Sequence, residues 1–341
     1  MTTIIHDLEK LCTAAGCAGQ NDICALAKEL LTPLVDEISV DSMGNILAFR
    51  HAETANAETV MLEAHIDEIG FLVTHVDERG FVFVAPAGGI DKRVLTAQKV
   101  VINGKEPIFG VFSSVPPHLS KGEDKLPEIT DMAIDTGLDA ETAKEQIPLG
   151  SRVNFMPNFT ALNNTVVSSK SLDNRCGMAA ILHCLRQLER RDVNIAIAFC
   201  VQEELGCRGA TVATKRIQPD YAIVTDVSFA LTRDADARIC GKMREGVMIG
   251  ISPVLDAEMS DSLHNLATEH EVPHQSEVMA ETTGTNADVI SCSCFGVRTA
   301  LLSIPIRYMH TPVETVDVSD IAATGDLMAT WIKQKGARVN E

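Results

Sequence analysis

Residues 193–204 read VNIAIAFCVQEE, an apolar run that ends in two adjacent glutamates. The run is too continuous for a strand with one solvent-exposed face, and it is typical of a strand covered on both faces in a parallel sheet. Sheets of this kind bind their ligands at the carboxyl ends of the strands. The run therefore predicts an α/β fold in which Glu203 and Glu204 lie at the edge of the sheet where a functional site forms.

Three further apolar runs end in polar side chains of the same kind. They are ETVMLEAHID (58–67), which ends at His65 and Asp67; YAIVTD (221–226), which ends at Asp226; and ALLSIPIRYMH (300–310), which ends at His310. A fifth candidate, Asp173, lies in SSKSLDNRCG (168–177), between a predicted strand and a predicted helix. Two imidazoles and several carboxylates form a ligand set that suits zinc, cobalt or manganese. The set indicates a hydrolase with two metal ions.

Each candidate also has a structural explanation when it is considered alone. His65 could be a hydrogen-bonded core histidine, and Asp173 could cap the helix that follows it. Glu203 and Glu204 could interact with a helix dipole. These separate explanations do not account for the repeated position of such side chains at the ends of buried strands, where an unpaired charge is costly. Metal coordination accounts for the whole set.

The composition restricts both the class of protein and its partners. The chain has 341 residues, of which 45% are hydrophobic, so it can form a sizeable core and two domains. Its formal net charge of −18 disfavours nucleic acid and anionic membranes as partners, because both repel an acidic surface. No stretch approaches the roughly 20 apolar residues that span a bilayer, and the N-terminus lacks the pattern of a signal peptide.

The cysteines predict a reducing environment. Ten of them are scattered through predicted helices and strands without a CxxC pair, which is typical of a cytoplasmic protein with free thiols. Cys292 and Cys294 are close in sequence, but no second pair at a metal-ligand spacing accompanies them. We expect both to be buried thiols without a catalytic role.

The pattern of apolar residues and turns changes twice along the chain. Residues 1–69 and 161–341 alternate predicted helices with buried strands, and LAKELLTPLVDEI (26–38) and RCGMAAILHCLRQLERR (175–191) have helical apolar spacing. Residues 70–160 are rich in short alternating strands and in turns such as Asn103-Gly104. We therefore expect a discontinuous α/β domain, with a mixed, largely parallel sheet and helices on both faces, and an inserted β-rich domain.

Four strings and the Asp226 strand span most of the chain: EAHIDEIGF (63–71), KSLDNRCG (170–177), VQEELGCRGA (201–210) and IPIRYMHTPVETV (304–316). In these strings, and in their order, the chain resembles the cytoplasmic dinuclear-metal aminopeptidases of the glutamyl and deblocking aminopeptidase group. The resemblance implies a zinc-exopeptidase-like fold, and the β-rich segment occupies the position of the family's inserted domain, through which members commonly dimerise.

The resemblance also implies the metal ligands. One ion would be bound by His65, Asp173 and Asp226, and the other by Asp173, Glu204 and His310, so that Asp173 bridges two divalent ions in each subunit. Zinc is the expected metal, with cobalt and manganese as alternatives that the same ligands accept.

The remaining roles concern catalysis. Glu203 would be the general acid/base that takes a proton from a metal-bridging water and delivers it to the leaving amine. Asp67 would orient and polarise His65, and the peptide bond between Asp173 and Asn174 would be cis. The resemblance thus implies an aminopeptidase that acts on short peptides in a homo-oligomer, at least a dimer and in the family also a tetrahedral shell of twelve subunits.

One string departs from the family pattern, and two other functions remain as alternatives. In TTGTNADV (282–289), Thr283 and Asn286 replace a Gly and an Asp of the family, which predicts an altered substrate pocket. A glycan hydrolase of the endoglucanase type would use two carboxylates without a metal pair, but only 4% of the residues are aromatic and Trp331 is the sole tryptophan. A catalytically inactive oligomeric binding protein would more naturally have lost one of the ligands.

Overall fold

The structure, a computed structural model, describes residues 1–17, 22–116, 118, 127–189 and 191–338. The helices in this part of the chain are α1 Thr2–Thr13, α2 Asp22–Leu31, α3 Ala140–Gln146, α4 Leu172–Arg186, α5 Arg208–Ile217, α6 Ala257–Glu269, α7 Ala287–Ser291 and α8 Val318–Arg338. Among the described residues, no helix is both long enough and apolar enough to cross a lipid bilayer.

The strands fall into a large sheet and a smaller barrel. The sheet contains β1 Glu37–Val40, β2 Ile46–Arg50, β3 Thr59–His65, β10 Thr160–Ala161, β11 Val166–Ser169, β12 Asn194–Cys200, β13 Tyr221–Phe229, β14 Val247–Ile251, β15 His274–Val278, β16 Arg298–Arg307 and β17 Glu314–Asp317. The barrel contains β4 Gly70–Val76, β5 Val82–Ala87, β6 Lys99–Asn103, β7 Pro107–Phe112, β8 Ala133–Asp135 and β9 Arg152–Phe155.

The sheet is mixed, as predicted. Its order is β1-β2-β12-β3-β13-β16-β17-β11-β10, and β14 and β15 extend from β16. The neighbouring strands β12, β3, β13 and β16 are parallel to one another, whereas β2 and β17 flank them in antiparallel orientation. These four central strands carry the four apolar runs of the sequence. Their carboxyl ends, and the polar residues that follow, therefore lie at one edge of the sheet.

Helices cover both faces of the sheet, which is also as predicted. On β3, Val60 and Leu62 pack into a core shared with α1, α2, α4, α6 and α8, whereas Met61 packs into the opposite core with α5 and α7. Successive side chains of a strand point to opposite faces, so a strand covered on both sides needs apolar residues at nearly every position. Burial of each such side chain contributes about 1.5–3 kcal/mol. This two-sided burial is the physical cause of the continuous apolar runs.

The barrel closes in the order β4-β5-β8-β7-β6-β9 around its own core. The ring of Phe71 lies at its centre, 5.2 Å from the Phe112 ring and 5.6 Å from the Phe155 ring in edge-to-face contacts. Strands β6 and β7 pair as a hairpin whose turn begins at Asn103, where the sequence predicts it. Buried and more exposed residues alternate along β5, as expected for a strand with one face on the core.

A buried ion pair joins the barrel to the sheet. Glu68, just after β3, accepts hydrogen bonds from Lys170 Nζ at 2.7 Å, from Asn154 Nδ2 of β9 at 2.9 Å and from the backbone N–H of Gly16 at 2.8 Å. Both charged side chains are almost completely inaccessible to solvent. The carboxylate therefore links three segments that lie far apart in the sequence.

Two predicted helices are shorter than their apolar spacing indicates. The helix predicted over 26–38 ends at Leu31, and residues Thr32–Leu34 form a 3-10 turn before β1 begins at Glu37. Pro33 ends it, because proline lacks the N–H that would continue the helical hydrogen bonds. The helix predicted over 175–191 ends at Arg186, where the backbone turns toward β12.

All ten cysteines are free thiols, but the expectation for two of them is wrong. Cys292 and Cys294 are exposed rather than buried. Cys292 directly follows the short helix α7, and Cys294 lies in the turn that leads to β16, where the backbone runs along the surface. The apolar character of the cysteine side chain misled the prediction at this turn.

Candidate metal centre

The predicted site residues converge at the carboxyl edge of the four parallel strands. His65 is the last residue of β3, and Glu204 and His310 lie in turns that follow β12 and β16. Asp226 lies inside β13 rather than at its end, because β13 continues to Phe229 in register with β16. Asp173 lies in the first turn of α4, where its own dihedral angles are not helical.

One group of potential ligands consists of His65, Asp173 and Asp226. The imidazole Nε2 of His65 lies 2.9 Å from Asp173 Oδ1 and 3.6 Å from Asp226 Oδ1. All three side chains are buried, and one ligand atom from each lies within 4.8 Å of the others. A single cation can contact three atoms at this spacing.

A second group shares Asp173 with the first. His310 Nε2 lies 3.3 Å from Asp173 Oδ2 and 3.5 Å from Glu204 Oε1. The two carboxylate oxygens of Asp173 thus face different imidazoles, Oδ1 toward His65 and Oδ2 toward His310. This is the geometry that a carboxylate between two adjacent cations requires.

Glu203 faces the same space and forms a third group of potential ligands with His65 and Glu204. Its carboxylate lies within 4.8 Å of ligand atoms of His65 and Glu204. Its backbone N–H donates to Asp67 Oδ1 at 3.1 Å, and the Cys207 thiol donates to its Oε1 at 3.5 Å. The Asp67 contact therefore holds the backbone of Glu203, and the Cys207 contact holds its side chain.

Asp67 lies behind the His65 imidazole. The Nδ1 atom of His65 is 3.1 Å from the backbone oxygen of Asp67 and 3.6 Å from its Oδ1. A proton on Nδ1 can therefore be donated toward Asp67, so that Nε2, which hydrogen-bonds to Asp173 in the metal-free site, would be free to bind a metal ion. Metal-binding histidines are commonly oriented in this way.

Buried negative charge dominates the electrostatics of the site. Burial, reinforced by the Asp173 carboxylate, raises the pKa of Glu204 to about 8 and raises the pKa of Asp226 well above its usual value. Burial likewise raises the pKa of Glu203. These carboxylates lack sufficient positive charge in their surroundings, and a divalent cation is the species that would supply it.

Asp173 is the exception among the carboxylates. Burial acts to raise its pKa, but hydrogen bonds with His310 and His65 outweigh burial and hold the pKa below its usual value. The same contacts act on the imidazoles, since the hydrogen bond with Asp173 raises the pKa of His310 to about 9. Without a metal ion, the two imidazoles are therefore the cations of the site.

Glu314 holds two of the predicted ligands in place, and the sequence analysis does not single it out. It is buried, its Oε1 accepts the backbone N–H of His310 at 2.8 Å, and its Oε2 accepts the backbone N–H of Asp173 at 3.0 Å. One carboxylate thus holds the two segments that carry these ligands. A glutamate only four residues after His310, in the same string, was the available signal.

A cavity of about 420 Å³ opens over the site and exposes both ligand groups and Glu203. The barrel side contributes Gly89, where an added Cβ would lie 3.0 Å from His310 Nδ1. Glycine allows the loop after β5 to approach the imidazole at this distance. The peptide bond between Asp173 and Asn174 is cis, as the resemblance implies.

The two departures from the family pattern have different positions. Thr283 lines the cavity, where its hydroxyl hydrogen-bonds to Asp288 at 2.8 Å. Asn286 lies behind the cavity and donates through Nδ2 to Glu63 Oε1 at 2.7 Å. Glu63 is fully buried on β3, and burial raises its pKa to about 8. Thr283 therefore contacts the substrate space, whereas Asn286 supports the strand that carries His65.

Comparison with known proteins identifies close relatives over nearly the whole chain. The family model for M42 glutamyl aminopeptidases matches residues 44–327. The lysyl aminopeptidase of Pyrococcus furiosus is 34% identical over 335 residues, which are 96% of this chain and 96% of the relative.

Solved structures give the same result at the level of the fold. The aminopeptidase APDkam598 from the archaeon Desulfurococcus kamchatkensis has a TM-score of 0.92 and 29% identity, and the match covers 98% of this chain and 95% of that one. The Pyrococcus horikoshii TET1 peptidase, described as able to assemble into a tetrahedron or a large octahedral shell, has a TM-score of 0.85 and 27% identity, with 96% and 98% covered.

Proposed function

The chain belongs to the M42 glutamyl aminopeptidase family, and from that premise we propose a metal-dependent aminopeptidase that uses two divalent ions to remove N-terminal residues from short peptides. The observation that carries the proposal is the position of Asp173, whose two oxygens face two separate ligand groups. Glu203 lies close enough to His65 and Glu204 to be a ligand itself, and in this assignment it remains unligated and available as the base. The glycan-hydrolase alternative has no comparable support, because it would leave this shared carboxylate without a role.

The residues fit two divalent ions. His65, Asp173 and Asp226 would hold one ion, and Asp173, Glu204 and His310 would hold the other. Nitrogen and oxygen donors of this kind suit zinc, which we take as the metal, and they also accept cobalt and manganese. The raised pKa values of Glu204 and Asp226, which burial causes, are consistent with carboxylates arranged for cations.

The mechanism assigns separate tasks to the neighbouring glutamates. Two bound divalent ions would lower the pKa of a shared water and polarise the scissile carbonyl. Glu203 takes the proton of the attacking water and delivers it to the leaving amine. Burial raises the pKa of Glu203 toward the neutral range in which a general base is most efficient. Asp67 positions both Glu203, through its backbone N–H, and the His65 imidazole.

The ligand chemistry of the site favours a free N-terminus. Four carboxylates, from Asp173, Glu203, Glu204 and Asp226, line the cavity together with the two imidazoles, and two bound divalent ions would offset the carboxylate charge. An unblocked N-terminal amine has a pKa of about 8, so near neutral pH part of it is neutral and offers a nitrogen lone pair that a metal ion can bind. An acetylated N-terminus is an amide whose nitrogen cannot bind in this way, so peptides blocked in this way bind less well.

The barrel segment, residues 70–160, is proposed to join subunits, and residues 1–69 and 161–341 to form the catalytic domain. Phe109 and Val111 on β7 expose 65% and 41% of their surface, and Val115 after β7 exposes 68%. Exposed apolar residues grouped in this way commonly mark a protein interface. We propose a homodimer at least, with a tetrahedral shell of twelve subunits as the larger assembly. The ten free thiols support a cytoplasmic location.

The first experiment tests Glu203 against Glu204. Enzyme stripped of metal and restored with zinc, cobalt or manganese is assayed for amino acids released from unblocked and N-acetylated short peptides. Glu203→Gln is expected to keep both ions but to lower turnover about 10²- to 10⁴-fold, since it lacks the general base. Glu204→Gln, the matched control at the next position, is expected to lose bound metal.

Two results would overturn these assignments. Unchanged turnover of Glu203→Gln would remove its role as the base. If no amino acid is released from any unblocked peptide with any of the three metals, the aminopeptidase function is overturned. The glycan-hydrolase and noncatalytic alternatives would then be favoured.

A further inference from the structure

A second cavity, of about 260 Å³, lies beside the candidate metal centre. The two cavities share three lining residues, Ser228, Phe229 and Thr283. Ser228 follows Asp226 by two positions on β13, so both side chains point to the same face of the sheet, roughly 7 Å apart. A peptide whose first residue lies at the metal centre can therefore place the side chain of that residue in the second cavity.

The wall of this second cavity combines apolar and polar side chains. Phe229, Met248 and Met279 line it, and the two methionines are flexible enough to pack along a linear side chain. The charged residues among the described lining are Arg238 and Glu277. Apolar wall residues beside a charged group suit a substrate side chain with an aliphatic stem and a charged end. The sign of the charge that the cavity presents decides whether that end is basic or acidic.

Glu277 has a carboxyl group without a counter-charge. Its Oε1 accepts a short hydrogen bond from the Ser228 hydroxyl, whereas its buried Oε2 makes no hydrogen bond of good geometry, although the Ser303 hydroxyl is near the carboxyl group. Among the described residues it forms no ion pair. Burial raises the pKa of Glu277, although the hydroxyls of Ser228 and Ser303 act in the opposite direction. A buried carboxyl in this state gains most from an approaching cation.

Arg238, in contrast to Glu277, has a counter-charge and is exposed to solvent. Its Nε and Nη2 donate to both carboxylate oxygens of Asp236, at 3.0 Å and 2.6 Å, and 87% of its side chain is exposed. A charge that is already paired and surrounded by water exerts little force on a ligand. Glu277, rather than Arg238, therefore decides the charge preference of the cavity.

We propose that Glu277 and Ser228 make the second cavity a subsite for basic side chains, so that the enzyme prefers peptides that begin with Lys or Arg. The inference rests on the proposed aminopeptidase function and specifies its substrate class. The stem of the side chain packs against Met248 and Met279. Its cationic end donates to the Ser228 oxygen, whose own proton remains bonded to Glu277.

The test compares substrates that differ only in the terminal charge. Peptides Lys-Ala-Ala and norleucyl-Ala-Ala have side chains with similar stems, but only lysine carries an ammonium group. A hydrogen bond to a charged group corresponds to a factor of about ten or more in kcat/KM, so the wild-type ratio of lysine to norleucine should exceed about ten. Glu277→Gln should lower this ratio at least about tenfold, while the control Arg238→Gln keeps it within about twofold.

A second readout does not depend on the folding of a variant. Free lysine should inhibit the wild-type enzyme at least about tenfold more strongly than free norleucine, because the same charge is recognised. Equal inhibition, a wild-type preference for norleucine, or an unchanged ratio in folded Glu277→Gln would overturn the inference while the aminopeptidase function stands. A preference for glutamyl peptides that Arg238→Gln abolishes would also overturn it. Failure to cleave any unblocked peptide would instead overturn the proposed function itself.

Discussion

Glu314→Gln is expected to weaken metal binding more than it weakens the fold. The Glu314 carboxylate accepts two backbone N–H groups, those of His310 at 2.8 Å and Asp173 at 3.0 Å. Glutamine has one acceptor oxygen and an NH2 group that only donates, so one of these hydrogen bonds is lost and two donors face each other. The loss falls on a segment that carries a proposed metal ligand.

The charge state of Glu314 decides whether the substitution destabilises the metal-bound or the metal-free form of the protein. Burial, together with the Asp173 carboxylate, raises the pKa of Glu314 well above its usual value in the metal-free site. Bound cations would favour the ionised form. Glutamine resembles the protonated carboxyl group more than the carboxylate, so the substitution destabilises the metal-bound state more than the metal-free state.

The magnitude follows from the hydrogen bond that is lost. A hydrogen bond to a charged group contributes about 1.5–3 kcal/mol, which corresponds to roughly 10- to 150-fold in Kd. The ion proposed to bind Asp173, Glu204 and His310 should show the larger loss, because both N–H groups held by Glu314 belong to its ligands. The ion at His65, Asp173 and Asp226 shares only Asp173 and should be affected less.

Calorimetric titration of zinc into metal-stripped protein, with a competing chelator, measures the two affinities. The matched control is Asp320→Asn, because Asp320 is a buried carboxylate that also accepts two backbone N–H groups, those of Arg244 at 2.7 Å and Gly246 at 2.9 Å, outside the cavity. This control should lower the free energy of unfolding and leave both zinc affinities within about twofold. Wild-type affinities for both ions in Glu314→Gln, or an equal loss in the control, would refute the reasoning.

Two further predictions concern pH and the buried ion pair. In the metal-free site burial raises the pKa of Glu204 to about 8, and the hydrogen bond with Asp173 raises the pKa of His310 to about 9, so zinc must displace protons from both groups near neutral pH. Each displaced proton contributes about tenfold in apparent affinity per pH unit, so the affinity should rise by at least about tenfold per unit from pH 6 to 8, and a chelator-competition series that is flat from pH 6 to 9 would contradict this. Lys170→Met leaves the Glu68 carboxylate buried with neutral donors only, so the free energy of unfolding should fall by about 3–5 kcal/mol in urea titrations. The added change Glu68→Gln should recover part of that loss, and equal stability of Lys170→Met and wild type would disprove the contribution of the pair.

Much of the fold was predictable because its cause is local. Residues 195–200 are apolar on both faces of β12 because helices cover both sides of the sheet, so consecutive positions of the sequence must all be apolar. The alternation in residues 70–160 reflects a barrel with a single buried face in the same way. Helix ends were less predictable, because apolar spacing continues past Leu31 although Pro33 ends the hydrogen bonding.

The candidate site also has features that the local sequence predicts and features that depend on tertiary contacts. The sequence by itself determined which polar side chains lie toward the carboxyl ends of the buried strands, and parallel strands place those ends at one edge of the sheet. The continuation of β13 beyond Asp226 to Phe229 was not predictable from the apolar run. Only the tertiary structure decided that Asp173 faces two imidazoles through different oxygens, that Glu314 holds Asp173 across 141 positions of sequence, and that Glu277 lies beside Ser228. Such contacts depend on the order of strands in the sheet and on side-chain direction, and neither leaves a periodic pattern in the chain.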